Sequence, residues 1–239
     1  MRLLLFDIDG TLIYANRTGR AALLSALEQT FGVSGPADQY DMSGKTDPQI
    51  IMDLMTAAGI PAEQISARLS LVYKHMVVKG HQVFTPENGL KPCPGVLPLL
   101  TALRQRPDVI LGLLTGNIAA TAPLKLAAAG IDPAHFRLGA YGSDAADRNL
   151  LPPIAMQRAT QLTGHLFNQT NTTIIGDTPA DILCARSANA TSVAIATGRY
   201  TTATLSHYHP HHLLENLLDT ETVLRKLLPG VDPVSGLSP

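Results

Sequence analysis

Asp7 and Asp9 stand one residue apart at the end of the apolar run Leu3-Leu4-Leu5-Phe6, and Gly10 and Thr11 follow at once. A run of that kind belongs inside a sheet, yet it delivers two carboxylates to its end. One acid there is ordinary turn chemistry; two, with a single buried-type residue between them, predict a site. Paired carboxylates serve proton transfer and displacement chemistry. Two further polar signatures follow strand-like runs: Thr115-Gly116-Asn117, and Gly176-Asp177 with Asp181 four residues on. Each is weak alone, since Asp181 taken singly is also an acid complementing a helix N-terminus. Together, at three strand ends, they point to one shared site.

The elements that must position these residues fall into two kinds. From about Gly95 onward helix and strand alternate. A helical stretch from Val96 to Gln105 precedes a buried-type strand from Val109 to Leu114, and a helix from Ile118 to Ala129 is stopped by Gly130. A short strand around Arg137 to Ala140 and a helix from about Pro153 to Thr163 follow. "TTIIGDTPADI" then reads as strand, turn and helix, and "TSVAIATG" as another strand. Such alternation predicts an α/β fold, a Rossmann-like doubly wound parallel sheet with helices on both faces. The carboxyl ends of the strands in such a sheet line the ligand crevice, which brings the three signatures to one edge.

The segment from about Tyr14 to Lys91 reads as helices only. Leu23, Leu27 and Phe31 share one face; Ile51, Leu54, Met55 and Ala58 share another; Ile65, Leu69, Val72 and Met76 recur along a third. Pro48 and Pro61 sit where a first helical turn accepts proline, and "TPENGLKPCPG" reads as a stiff connection. Because the first strand precedes it, this all-helical segment is an insertion, a cap domain over residues 15–91. The core then comprises residues 1–14 and 92–229, and residues 230–239 are expected to form a mobile tail.

Composition narrows the function classes. Lys and Arg total 18 against 19 acids, so no global field favours nucleic acid or an anionic membrane. No apolar run approaches a bilayer span. The N-terminal apolar run is cut by Asp7, so no export signal is read and a cytoplasmic enzyme is expected. Cys93 and Cys184 are too few for a disulfide framework; both read as small buried apolar residues.

The motifs resemble those of the haloacid dehalogenase-like phosphatase superfamily, nearest to its phosphoglycolate-phosphatase-like branch. The likeness rests on DxDGT at 7–11, TGN at 115–117, GDxxxD at 176–181 and a helical cap between the first two, and it covers nearly the whole chain. These motifs are specific for the superfamily and much less so for a substrate. The resemblance implies a phosphomonoester hydrolase in which Asp7 is the nucleophile, forming an aspartyl-phosphate, and Asp9 is the general acid and base. Asp9 is then expected to start protonated, with Asp7 kept ionised by a cation. The implied cofactor is Mg2+, held by Asp7, Asp177 and the backbone carbonyl of Asp9, with Asp181 holding a metal-bound water. Thr115, Gly116 and Asn117 would grip phosphoryl oxygens. The partner is a small phosphorylated metabolite, with no nucleic acid or membrane, on a monomer or homodimer.

One departure stands out. The family expects a lysine, usually before a proline, between the second and fourth motifs; "SDAADRNLLPPIAMQRA" holds none. Arg148 falls at that place and is taken for the role ahead of Lys125, which lies mid-helix only eight residues past Asn117. Arginine keeps the charge with a different reach. "SGKTD" at 43–47 is not a phosphate-binding loop, since the first glycine would fall at Gln39 and no apolar strand precedes it. The resemblance offers Lys45 as a cap residue touching the remote end of the substrate on closure. His207, His209, His211 and His212 are read as an outer strand and loop rather than a metal site. Alternatives on the same core are a sugar-phosphate mutase, a phosphonate-cleaving enzyme using Lys45 as amine nucleophile, or a decayed binding protein. A dehalogenase is disfavoured by the presence of Asp9.

Overall fold

The computed structural model of the chain describes residues 1–228. Its centre is a six-stranded sheet in the order β5-β4-β1-β6-β7-β8, every neighbouring pair parallel. The strands are β1 (Arg2–Phe6), β4 (Val109–Thr115), β5 (Leu138–Tyr141), β6 (Thr172–Gly176), β7 (Thr191–Ile195) and β8 (His212–Leu214). Parallel strands require crossovers, and helices α4 (Val96–Arg104), α5 (Ala122–Ala128), α6 (Leu151–Thr163), α7 (Pro179–Ser187) and α8 (Thr202–Ser206) lie in them; α9 (Thr220–Leu227) follows the last strand.

β1 shows why its apolar run is unbroken. Leu4 and Phe6 pack into one cluster with Leu99, Leu103, Val223 and Leu227 of α4 and α9. Leu3 and Leu5 pack into a second with Leu151, Ala155 and Cys184 of α6 and α7. A strand covered on both faces has no polar side to show, and each such leucine or phenylalanine contributes about 1.5–3 kcal/mol by leaving water. Pairing with β4 and β6 sets the register, Phe6 opposite Leu113 on one side and Ile175 on the other. The strand ends carrying Asp7, Thr115 and Asp177 are therefore neighbours.

Between β1 and β4 the chain leaves and returns through a two-stranded antiparallel ribbon, β2 (Ile13–Tyr14) with β3 (Lys91–Pro92). The stiff connection of the sequence reading thus includes a strand. Beyond the ribbon lie α1 (Thr18–Phe31), α2 (Asp47–Ala57) and α3 (Ala62–Val83). Their apolar stripes close on one another through Leu23, Leu27, Ile51, Leu54, Ile65, Val72 and Met76, and Ile118 of the core inserts into that same cluster. Two element boundaries differ from expectation. α5 begins at Ala122 rather than Ile118, and Gly116 and Ile118 ahead of it are engaged by the cap. α6 begins at Leu151, with Pro152 and Pro153 in its first turn, where a missing N–H costs nothing. The tail read at 230–239 lies outside the described residues.

Candidate active site

The three strand ends meet as the sheet dictates. Asp7 is buried, and its backbone N–H donates to Ile175 O at 2.9 Å, which continues the β1–β6 ladder by one residue. Thr11 closes the following turn from below, its hydroxyl donating to Asp177 Oδ1 at 3.1 Å. Gly10, at φ 84°, turns the chain so close to Asp177 that a Cβ there would lie 2.3 Å from Oδ2. A methyl on Gly198 would meet the same oxygen at 1.8 Å. Glycines at both places leave the carboxylate its room.

Arg148 holds the nucleus of the site. Its Nη2 donates to Asp181 Oδ1 at 2.6 Å and lies 3.3 Å from Asp7 Oδ1, with all three side chains buried. Its Nη1 reaches Gly44 O of the cap at 3.4 Å, and its buried Nε has no hydrogen-bond partner among the described residues. Burial pushes the Asp7 carboxyl up to about 6, against the pull of Arg148 and with Asp181 and Asp9 adding to the rise. Asp177 is raised well above the usual carboxylate range, chiefly by burial and then by Asp181 and Asp7.

This donor set fits a hard divalent cation. Asp7, Asp177 and Asp181 each bring a carboxylate oxygen within 4.8 Å of the others, and all three are buried. Three carboxylates face one guanidinium, an excess of negative charge that such an ion balances. Asp181 is otherwise committed. It completes a capping box at the start of α7, where Oδ2 accepts from Thr178 N at 3.0 Å and Thr178 Oγ1 at 2.7 Å. Asp7 and Asp177 are left as the carboxylates open to a metal.

Asp9 belongs to a separate network. Lys125 Nζ donates to Asp9 Oδ1 at 3.0 Å and Oδ2 at 2.7 Å, and to Asn117 Oδ1 at 2.6 Å. Asn117 Nδ2 donates to Asp9 Oδ2 at 2.8 Å and to Thr115 Oγ1 at 2.8 Å. A cavity of about 380 Å³ opens over both networks, lined by Asp7, Asp9 and Asp177 below and by Arg17, Lys45 and Arg199 above.

The cap loop at 44–47 presses onto the core at several points. Thr46 Oγ1 donates to Ala146 O at 2.6 Å, Asp47 N donates to Gly116 O at 2.8 Å, and Asp47 Oδ2 accepts from Ile118 N at 2.9 Å. The approach is backbone on backbone at Gly116, where a Cβ would stand 2.1 Å from Lys45 O; a Cβ on Gly142 would stand 2.1 Å from Gly116 O within the core and 3.1 Å from Thr46 Cβ of the cap.

Comparison with known proteins agrees with this arrangement. A family model described as HAD-hydrolase-like matches residues 151–220, which include the Asp177–Asp181 motif. The pyrophosphatase PpaX of Oceanobacillus iheyensis is 23% identical over 227 residues, spanning 94% of this chain and 97% of that protein. A solved structure described as a predicted phosphoglycolate phosphatase from Haemophilus somnus superposes with a TM-score of 0.65 at 20% identity, over 93% of this chain and 97% of the other. CbbY from Rhodobacter sphaeroides, solved with phosphate, gives 0.67 at 16% identity, over 92% and 96%. In motifs and in fold the chain is similar to the haloacid dehalogenase-like hydrolases.

It shares their fold and carries motifs like those of the phosphoglycolate-phosphatase-like phosphatases. The sequence-predicted residues are placed as follows. Asp7, Arg148, Asp177 and Asp181 come together as one cluster, with Arg148 beside Asp7 and Asp181. Lys125 is also in the site, but it serves Asp9. The Asp9 carboxyl group is met by the Lys125 ammonium and the Asn117 amide.

The phosphoryl-gripping residues are also busier than the motif suggests. Asn117 and Thr115 are bonded to one another, and what approaches Gly116 closely is the cap's Lys45 carbonyl. Lys45 lines the cavity, with its Nζ 2.7 Å from Tyr40 Oη, 3.4 Å from Asp53 Oδ2 and 4.0 Å from the Tyr40 ring centroid. His211 Nδ1 accepts from Ser192 N at 3.1 Å at the sheet edge, and His209 occupies a turn at φ 51°. Burial raises both Cys93 and Cys184 to about 12. Asp47 and Gly198 were missed by the sequence reading, and Thr11, quoted within DxDGT, was not read as a partner of Asp177; the signal for Asp47 lay inside "SGKTD", where attention went to the lysine.

Proposed function

We propose that the protein is a Mg2+-dependent phosphomonoester hydrolase acting on a small phosphorylated metabolite of the cytoplasm through a phosphoryl group carried on Asp7. The observation that carries this reading is the placement of Asp7: a buried carboxylate at the central strand end, beside one fixed guanidinium and one further open carboxylate. Mg2+ bound by Asp7, Asp177 and the Asp9 backbone carbonyl would neutralise phosphoryl charge and keep Asp7 ionised.

The chain's own groups supply the rest. Asp7 attacks phosphorus in line with the ester oxygen, the P–O ester bond breaks, and Asp9 passes a proton to the departing oxygen. Asp9 next takes a proton from water, the water oxygen attacks phosphorus, and phosphate leaves with Asp7 restored. Arg148 holds Asp7 in line, its guanidinium lying 3.3 Å from Asp7 Oδ1. The cap contacts seat the cap loop over the site. A phosphonate-cleaving role for Lys45 is disfavoured, because its amine is held by Asp53 and Tyr40 rather than free to attack.

Phosphate release from a panel of phosphomonoesters, with pyrophosphate and a bisphosphate included, tests the reading. Mg2+ and chelator arms are run on the native chain and on Asp7→Asn. Turnover that needs the metal, and falls by roughly 10⁴-fold or more in the variant, is the expected result. Turnover that survives in Asp7→Asn, or no release from any member by folded native protein, overturns it.

A further inference from the structure

Among the described residues two cations are buried, Arg148 and Lys125, and the hydrolysis reading gives a task only to the first. A lysine rarely stays buried unless its ammonium is fully partnered. Lys125 has three N–H donors and three acceptor contacts, the two oxygens of Asp9 and Oδ1 of Asn117, at 2.6 to 3.0 Å. Its path is walled. Nζ lies 5.6 Å from the centroid of the Phe84 ring, and α1 passes so near that a Cβ on Gly19 would stand 2.7 Å from Nζ. Asp47 adds a second negative charge facing the same ammonium.

The pair is asymmetric. The Lys125 side chain is 4% exposed, whereas that of Asp9 is 36% exposed and lines the cavity. An ion pair built for stability gains little from leaving its acid half in solvent. A device for aiming a carboxylate at a ligand needs this geometry: an immobile cation behind, a working group in front, and an amide to fix the plane.

We propose that Lys125 is a positioning residue for Asp9, fixing the orientation of the acid–base carboxylate through its ammonium and through Asn117, separately from the service Arg148 gives Asp7. The inference rests on the reading of Asp9 as the group that protonates the leaving oxygen. It has a signature that a structural lysine lacks. Alkyl phosphates need that proton, whereas p-nitrophenyl phosphate releases a stable phenolate without it, so loss of Lys125 should be felt by leaving-group type.

The experiment compares kcat and KM for p-nitrophenyl phosphate and for the best alkyl phosphate of the panel, in Lys125→Met, Lys125→Arg, Gly19→Ala and Asp9→Asn. Lys125→Met should lower kcat on the alkyl ester by about 100-fold, with KM within ~3-fold, and lower the aryl rate by no more than ~5-fold. Retained aryl turnover doubles as the check on folding. Lys125→Arg should recover part of the loss, and Gly19→Ala, which crowds the ammonium, should show a smaller loss with the same selectivity. If Lys125→Met does not fold, these two variants decide. Equal losses on both esters, or none, while Asp9→Asn remains selective would overturn the role of Lys125 alone. An Asp9→Asn variant without leaving-group selectivity would overturn the acid role of Asp9, and this inference with it.

Discussion

The floor and the roof of the cavity are built on opposite plans. On the floor every charged group is bound to another floor residue far away in sequence: Arg148 to Asp7 and Asp181, Thr11 to Asp177, Asn117 to Asp9. On the roof Lys45 turns to Tyr40 and Asp53, and Arg20 turns to Asp38 and to the Ala37 carbonyl, all within the cap. Arg199 of the core joins them by crossing to Asp41 and Ser43 of the cap. The floor is anchored on three strand ends; the roof is half-exposed and anchored on cap helices and loops. A rigid floor suits a displacement whose geometry is the same for every ester. A roof of separate polar clusters sets what fits above it without disturbing the floor.

Breaking the floor should therefore cost far more than altering the roof. Arg148→Met leaves Asp7, Asp177 and Asp181 facing one another without their guanidinium. We expect kcat to fall by roughly 10²–10³-fold, and urea unfolding to show a loss of about 3–5 kcal/mol, as breaking a buried pair does. Mg2+ should return more thermal stability to this variant than to the native chain. A variant as stable as the native protein would mean that the floor is not held by charge.

Lys45→Met tests the roof. Its expected effect is a rise in KM of about 3–10-fold with kcat within ~3-fold, the pattern of lost binding that is uniform along the reaction. A fall in kcat comparable with that of Arg148→Met would erase the distinction between the two regions.

The smallest effect is expected at the seam between them. Loss of water around the Asp47 carboxyl pushes it up to about 6 from 3.8, opposed by Lys125 and by the Ile118 N–H. The folded chain thus binds more protons at Asp47 than the unfolded chain does between those values. Stability falls as pH rises through that window, and the penalty is complete above about 6. Asp47→Asn lacks the term, so its stability relative to the native protein should improve from pH 4 to pH 7 in urea titrations. Parallel curves at the two pH values would show that the carboxyl is not strained by its place in the seam.

What the sequence made legible follows the same division. The apolar run of β1, the strand-end signatures and the 3.6-residue stripes of the cap are local patterns, and the parallel sheet brings the first two together by topology alone. Arg148 was placed near the site because a charged residue a few positions ahead of Pro152 and Pro153 has a fixed place before α6, and it stands against Asp7 and Asp181. The partnership of Lys125 with Asp9 was not legible. It depends on where α5 begins, and the residues ahead of that start at Ala122 meet a cap loop seventy residues earlier. Gly116 was read as making room for phosphate, whereas Lys45 comes against it; no spacing within one segment reveals which backbone arrives from another.

The stack of Gly142, Gly116 and the Lys45 carbonyl has a consequence for how this protein can change. Where two main chains touch with nothing between them, the smallest side chain is a wedge. An alanine at 116 would drive its methyl into the Lys45 carbonyl, and one at 142 into the Gly116 carbonyl, so either would force one of these main chains to move. The seating of the cap loop on the core therefore depends on hydrogen atoms where other residues carry a methyl.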